Sequence, residues 1–458
     1  MNYAHYRARE FYLDHPSLQQ AYSWATVQRA RAAARRGDLL AALTRHCDAG
    51  RRLVTESAGN PRRRKAAVTE LARFVKQVHG GALPASPADN RLAQAFLRTP
   101  AAQGMRARLA TWSAAKQCRL GGNLLLLKAP GERERGVVMV TYTNYFDWLL
   151  VAFRPRPLFE RYTVVLEPSW TPYPSPYWGL FASSGSSIVV QALNEEIEAA
   201  LAQAALGLQA VAIGSHQWTD PAVFRPMGLE KEFDLVMVAS FARTKRHSVL
   251  FRALRQLRPR RLRVALIGTA WERTQEEFEA EMRAYGVRED CTLFRGISAE
   301  KVNDVLNRSR AAVLLTRVEG GNRSMMEALA AGTPLIMYGG MVGPRSQVNA
   351  ETGRWAEDHE LARVIEEVLA SPERFQPRAW FERNSGYPRS TERLNSYLRQ
   401  RAEARGERWT RDIAAKTNRP DVAYANSEEE RKLEPEYADL ESMLRPQGAN
   451  PGMEVGDE

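Results

Sequence analysis

A chain of 458 residues has room for two or three domains, each able to bury its own core, and its 44% hydrophobic and 26% charged content is that of an ordinary globular protein. Three widely separated cysteines (Cys47, Cys118, Cys291), with no C-x-x-C and no histidine at ligand spacing, exclude a disulfide scaffold and a zinc site. The longest apolar run, Val137 to Phe153, is broken by Asn144 and Asp147, and the first ten residues hold no signal-peptide core, so the expected location is cytoplasmic.

The formal net charge of +12 is unevenly spread. Residues 1–80 hold 15 Lys/Arg against 6 Asp/Glu, clustered at Arg29 to Arg36 and Arg62 to Lys65. Leu39, Leu40, Leu43, Leu71, Phe74, Val75 and Val78 recur at helical spacing, which predicts a basic helical region over residues 1–118. Two readings of it stand side by side. The helices lie against an anionic membrane as a peripheral contact at the inner face of the cell membrane, or they present a solvated face and pack on the rest of the chain. The basic clusters lack interleaved aromatics, so no nucleic-acid partner is expected.

Residues 119–226 alternate short apolar runs with helical segments. Candidate strands are Asn123 to Leu127, Val137 to Tyr142, Tyr162 to Leu166, Ser187 to Gln191 and Leu208 to Ile213, with a helix over Asn194 to Leu206. The alternation predicts a parallel sheet covered by helices on both faces. Ligands of open parallel sheets bind beyond the strand ends, which selects Asn144 and Asp147 after one strand and Glu167 and Trp170 after the next. The ring- and proline-rich run from Glu167 to Trp178 suits carbohydrate stacking, or else packs on a neighbouring domain. His216 stands near the linker between domains, and a lone histidine there is more often structural than catalytic.

Over residues 227–390 one segment dominates. Glu319-Gly-Gly-Asn-Arg-Ser-Met-Met-Glu327 follows a buried-strand pattern and runs into Ala-Leu-Ala-Ala-Gly-Thr-Pro. If a helix opens near Glu319, eight residues is just over two turns, and both acids face one side. Gly320 and Gly321 allow close main-chain approach beside a positive helix end, and Asn322 follows them. Amides for anionic oxygens beside carboxylates for hydroxyls suit a sugar diphosphate.

With its neighbours, this segment resembles the C-terminal half of retaining GT-B glycosyltransferases of the "group 1" (family 4) kind. The landmarks are Glu319, Glu327, Gly332 and Pro334; Leu293-Phe-Arg-Gly296-Ile297-Ser upstream; Asp234 to Lys245 before that; and Glu351-Thr-Gly353 with the helix from Glu360 downstream. The resemblance implies an α/β GT-B fold, with two Rossmann-like domains facing a cleft. The first (119–226) serves the acceptor, the second (227–390) binds the nucleotide sugar, and residues 391–426 form a crossing helix and linker. It also implies roles. Lys245, helped by Arg243, takes the diphosphate; Gly296 and Ile297 touch the nucleoside; Glu319 holds the donor sugar and Glu327 the ribose. Ser240 departs from the family's basic pair, with Arg243 or Arg246 as candidates for the missing charge.

The implied co-substrate is a UDP- or GDP-linked sugar rather than a bound cofactor. The implied partner is a glycan or lipid-linked acceptor in polysaccharide assembly. No Asp-x-Asp occurs, so no metal is expected. Residues 427–458 hold 10 acids against 3 bases and are expected to be a disordered tail. A catalytically silent scaffold of the same fold is the alternative; a dinucleotide enzyme is disfavoured because no G-x-G-x-x-G follows a candidate strand.

Overall fold

The computed structural model describes residues 16–56, 61–84, 87–168, 176–182, 184, 187–192, 206–317, 319–341, 343–419 and 421–446. Two compact units emerge. His216–Arg389 makes up the bulk of one. The other comprises Gln20–Ser215, Ser390–Thr417 and the described residues of Asp421–Glu458. Among the described residues no helix is long and apolar enough to cross a membrane.

The basic helical region is present as Pro16–Arg35, Leu39–Glu56, Pro61–Val78 and shorter helices to residue 118. Leu43, Leu71, Phe74, Val75 and Val78 are buried, as their spacing predicts, while Leu39 and Leu40 stay half-buried. From Gln20 on, this region falls in the same compact unit as the first sheet, as the packed reading of it expects. Asn90 caps the helix Arg91–Leu97 by accepting from the N–H groups of Leu92 and Ala93. The same side chain donates to the carbonyls of Gly179 and Ala182 at 3.1 and 3.3 Å. Leu43 lies so close to Gly179 that a Cβ there would sit 2.8 Å from it. Short helices cannot bury an apolar face alone, so they pack on the first sheet's unit.

That unit's sheet contains β1 (Leu124–Lys128), β2 (Gly136–Thr141), β3 (Tyr162–Glu167), β4 (Ile188–Gln191) and β5 (Gln209–Val211), side by side in chain order. Pairs from β2 to β5 are parallel. The expectation of an all-parallel sheet fails at β1, which runs antiparallel to β2. Seven intervening residues make a hairpin but are too few for a parallel crossover. Every residue of β1 to β4 is buried, which explains their unbroken apolar runs. The expected helix over Asn194 to Leu206 falls almost wholly outside the described residues.

The acidic tail corrects a second expectation. Residues 427–446 carry the helices Ser427–Leu433 and Tyr437–Ser442, with Leu433, Tyr437, Leu440 and Met443 buried. The N–H of Leu126 donates to the Tyr437 hydroxyl at 3.1 Å, and the Tyr424 hydroxyl donates to the Leu126 carbonyl at 2.6 Å. Arg445 donates to the carbonyls of Leu150 and Phe153. Net charge suggested disorder because a few spaced apolar residues were outweighed; those few dock on β1 and satisfy its outer edge.

The second unit's sheet is fully parallel. Its strands are β6 (Phe233–Val238), β7 (Val264–Ile267), β8 (Cys291–Phe294), β9 (Ser309–Leu314), β10 (Leu335–Tyr338) and β11 (Gly353–Ala356), in the order β11-β10-β9-β6-β7-β8. Two cores, one on each face, bury it: Phe241, Leu250, Phe278 and Tyr285 among one set, Met325, Met326, Leu329 and Phe381 among the other. This is the doubly wound Rossmann order, with its direction of winding reversing between β6 and β9.

Candidate functional site

At that reversal the connections leaving β6 and β9 turn away to opposite faces, leaving a crevice beyond their carboxyl ends. The sequence places its most polar loops there. After β6 the chain turns through the 3₁₀ segment Arg243–Lys245, and after β9 it runs through Glu319 into the helix Arg323–Ala330. The ammonium of Lys245 forms an ion pair with Glu319 Oε1. Lys245 remains partly exposed and Glu319 is buried, so the cation is the solvent-facing member.

The local fold explains how each loop is held. A Cβ at Gly268 would lie 2.1 Å from the Ala239 carbonyl, so the end of β7 presses directly on the turn after β6. Gly343, at φ +145°, plays the same part beyond β10, where a Cβ would meet the Glu319 carbonyl at 2.3 Å. Asn322 caps the helix Arg323–Ala330 through the Met325 N–H. Gly320 and Gly321 lead into that cap.

The helix therefore opens at Arg323, four residues later than the two-turn spacing argument required. Paired glycines resist helix, and Asn322 is the better cap. Glu319 lies in the turn, Glu327 on the helix. Glu327 is half-buried, and its carboxyl is shifted up by burial, with Arg323 acting in the other direction. Gly296, at φ +58°, is exposed beyond β8, and Ile297 packs against the core beside it.

Of the two arginines considered for the diphosphate, Arg243 is exposed. Arg246 is committed elsewhere. It occupies the left-handed region at φ 58° and buries its guanidinium over the Tyr338 ring. There it donates to the Leu315 carbonyl at 3.0 Å and pairs with Asp358. That network ties the β6 loop to the end of β9, and its partner Asp358 lies 112 residues away, beyond the reach of local sequence reading.

His247 opens the helix His247–Gln256, and nothing else in the local sequence distinguishes it. It is buried among Phe241, Phe251 and Phe278, edge-on to the last with ring centroids 4.9 Å apart. Burial, helped by the nearby Arg273 and Lys245 charges, pushes its pKa down to about 3. It is a neutral core ring directly after the Arg243–Lys245 turn. The HisSerValLeuPhe start of a helical pattern was the only available signal.

Several candidates from the first sheet are not available as expected. Glu167, at the end of β3, is buried and accepts from Lys416 Nζ at 2.6 Å, with side chains 1% and 0% exposed respectively. Its carboxylate is used in a structural pair. His216 is buried too, its Nε2 lying 3.4 Å from Gln347 Nε2, and burial pushes its pKa down to about 3. It belongs with the second unit and reads as structural. Trp170 lies outside the described residues. Asn144 and Asp147 lie beyond β2, three residues apart in successive turns of 3₁₀ and α-helix.

A groove of about 490 Å³ opens elsewhere on the second unit, lined by Pro226, Lys231, Asn307, Gly332 and Arg378. Lys231, Asn307 and Gly332 precede β6, β9 and β10, so it lies at the opposite strand ends from Lys245 and Glu319. Lys231 and Arg378 there are engaged by main-chain carbonyls. Among the described residues no group of three His, Cys, Asp or Glu is placed to hold a metal.

Residues 222–384 match the family model described as Glycosyl transferases group 1. No curated protein sequence matches the chain. Among solved structures the chain is similar to sucrose-phosphate synthase from Thermosynechococcus elongatus, at 18% identity over 58% of this chain and 74% of that one, with a TM-score of 0.48. It is similar to HepE from Anabaena in complex with UDP (13% identity, 58% and 78% of the two chains, TM-score 0.44). A third is a TarM mutant from S. aureus in complex with Fondaparinux, alpha-GlcNAc-glycerol and UDP (12%, 57% and 55%, TM-score 0.45). The chain thus spans little more than half the length of TarM.

Proposed function

We propose that this chain transfers a sugar from a nucleoside-diphosphate donor, UDP- or GDP-linked, to a glycan or lipid-linked acceptor, with retention of configuration and without a metal. The observation that carries the reading is the Lys245–Glu319 pair at the switch point of a doubly wound sheet, within the segment that matches the glycosyltransferase family model. Polysaccharide assembly at the cytoplasmic face of a membrane is the setting that this chemistry suits.

Cleavage at the anomeric carbon leaves an oxocarbenium-like centre and a diphosphate gaining negative charge. A fixed cation beside it lowers that barrier without reorganisation. Lys245 supplies the charge, and Glu319 holds it in place while its second oxygen accepts from a donor-sugar hydroxyl. Glu327 accepts from the ribose. The acceptor hydroxyl attacks on the face that the diphosphate leaves, and the departing phosphate oxygen takes its proton.

Calorimetric titration with UDP, GDP, ADP, CMP and dTDP, in EDTA and again with Mg²⁺, tests the reading. One diphosphate binds in EDTA, and binding weakens about tenfold or more in Glu327→Ala. Binding of none of the five ends the proposal.

A further inference from the structure

The first sheet holds an arrangement that donor binding does not use. β2 ends at Thr141, and Tyr142 follows in the left-handed region at φ 64°. Its N–H donates to the Glu167 carbonyl at 3.0 Å, which fixes the turn to the end of β3. The chain then winds through Thr143–Tyr145 and Phe146–Ala152. Residues three apart in such turns share a face, so Asn144 stands beside Asp147, and Tyr145 beside Trp148 on the next stripe.

Asp147 is 2% exposed. Its Oδ1, and the buried Oδ1 of Asn144, accept no hydrogen bond among the described residues. Backbone N–H groups of Asp147 and Trp148 meet the carboxyl, while burial pushes its pKa up to about 7. Burial, and after it the Asp147 charge, raises the pKa of the Tyr177 hydroxyl. On the adjoining stripe, Tyr145 and Trp148 are 6.0 Å apart, and Trp148 stacks on Trp112 at 5.7 Å and 10°. Two buried acceptors left open on one face cost stability, and a bound hydroxyl donor would answer both.

We infer that Asn144 and Asp147 form a subsite for adjacent hydroxyls of a pyranose, with the Tyr145 ring, braced by Trp148, beside it as the stacking surface. A vicinal diol presents two adjacent O–H donors, the complement of two open acceptors carried one turn apart on the same face. The Arg108 guanidinium lies over the Trp148 ring at 5.7 Å and the Lys116 ammonium over Trp112 at 4.9 Å, which hold the rings in place. The inference rests on the sugar-transfer reading for its ligand class, and it makes Asp147 the acceptor-side residue of that reaction.

Saturation-transfer NMR at pH 8 with methyl glucoside, methyl galactoside, methyl mannoside and a methyl 2,3-dideoxyglucoside tests it on the full chain. At least one intact pyranoside receives saturation, and the 2,3-dideoxyglucoside does not. Asp147→Asn, nearly isosteric, weakens that binding about tenfold or more, and Asn144→Ala weakens it in the same direction. Melting curves show both variants folded, and both bind nucleoside diphosphate as the parent does. Diphosphate binding without any pyranoside signal, or equal signals in parent and both variants, overturns the subsite and leaves the transferase reading intact. Pyranoside binding that depends on Asp147 without diphosphate binding leaves the subsite intact and removes the transferase reading.

Discussion

Lys245 and Glu319, 74 residues apart in the chain, meet as one ion pair beyond the carboxyl ends of β6 and β9. The pairing is a product of strand order: β6 and β9 are neighbours although two strands separate them in sequence. Lys245→Ala removes the cation and leaves a buried carboxylate behind. Transfer falls about a hundredfold or more, as for other lost oxyanion stabilisers, while the melting temperature moves by only a few degrees. Full-rate turnover by the alanine variant in a donor-consumption assay refutes the assignment.

Gly343 is the backbone support of Glu319. A Cβ there would overlap the Glu319 carbonyl at 2.3 Å, and φ +145° is closed to an L side chain. Gly343→Ala therefore displaces the turn that carries Glu319. Diphosphate affinity falls by about tenfold with the circular dichroism of the sheet retained. An alanine variant with unchanged affinity shows that the loop yields without moving Glu319.

Glu167 and Lys416 separate structural charge from functional charge. Lys416→Met leaves a carboxylate in a fully buried place and costs about 3–5 kcal/mol. Adding Glu167→Gln to that variant recovers most of the loss. Chemical denaturation of the parent, single and double variants measures both effects. If the lysine substitution is silent, the pair is not holding the end of β3.

His216 and His247 set an acid limit. Each has an ordinary pKa of 6.5 when unfolded, pushed to about 3 by burial in the folded chain. The unfolded state then binds more protons between these values, so stability is intact above about pH 6.5 and drains as pH falls toward 3. The slope approaches about 1.4 kcal/mol per pH unit for each ring. His247→Leu keeps the site's size and flattens that slope in urea titrations between pH 7 and pH 5. An unchanged slope excludes His247 as a source of the acid sensitivity.

How much was legible in the sequence differs between the two units. Around Glu319 the order of landmarks from Asp234 to the helix after Glu360 follows the strands and turns of one doubly wound sheet, because each landmark is a local event at a strand end. The first sheet was less readable. Its strands were placed to within a residue or two at most ends, yet the reversal of β1 depends on a connection too short for a crossover. The docking of residues 427–446 depends on Leu433, Tyr437 and Leu440, which composition averaged away against the surrounding acids.

By itself the sequence determined where strands and helices form, that Lys245 and Glu319 sit in loops at strand ends, and that charge concentrates at the two ends of the chain. These follow from apolar period, caps and turn residues, which act over a few residues. Only the tertiary structure decided which charges stay free for a ligand. It closed Glu167 with Lys416 and Arg246 with Asp358, and it left the Oδ1 of Asp147 open. For Glu167 and Arg246 the answering partner lies a hundred or more residues away, and no local pattern carries that information.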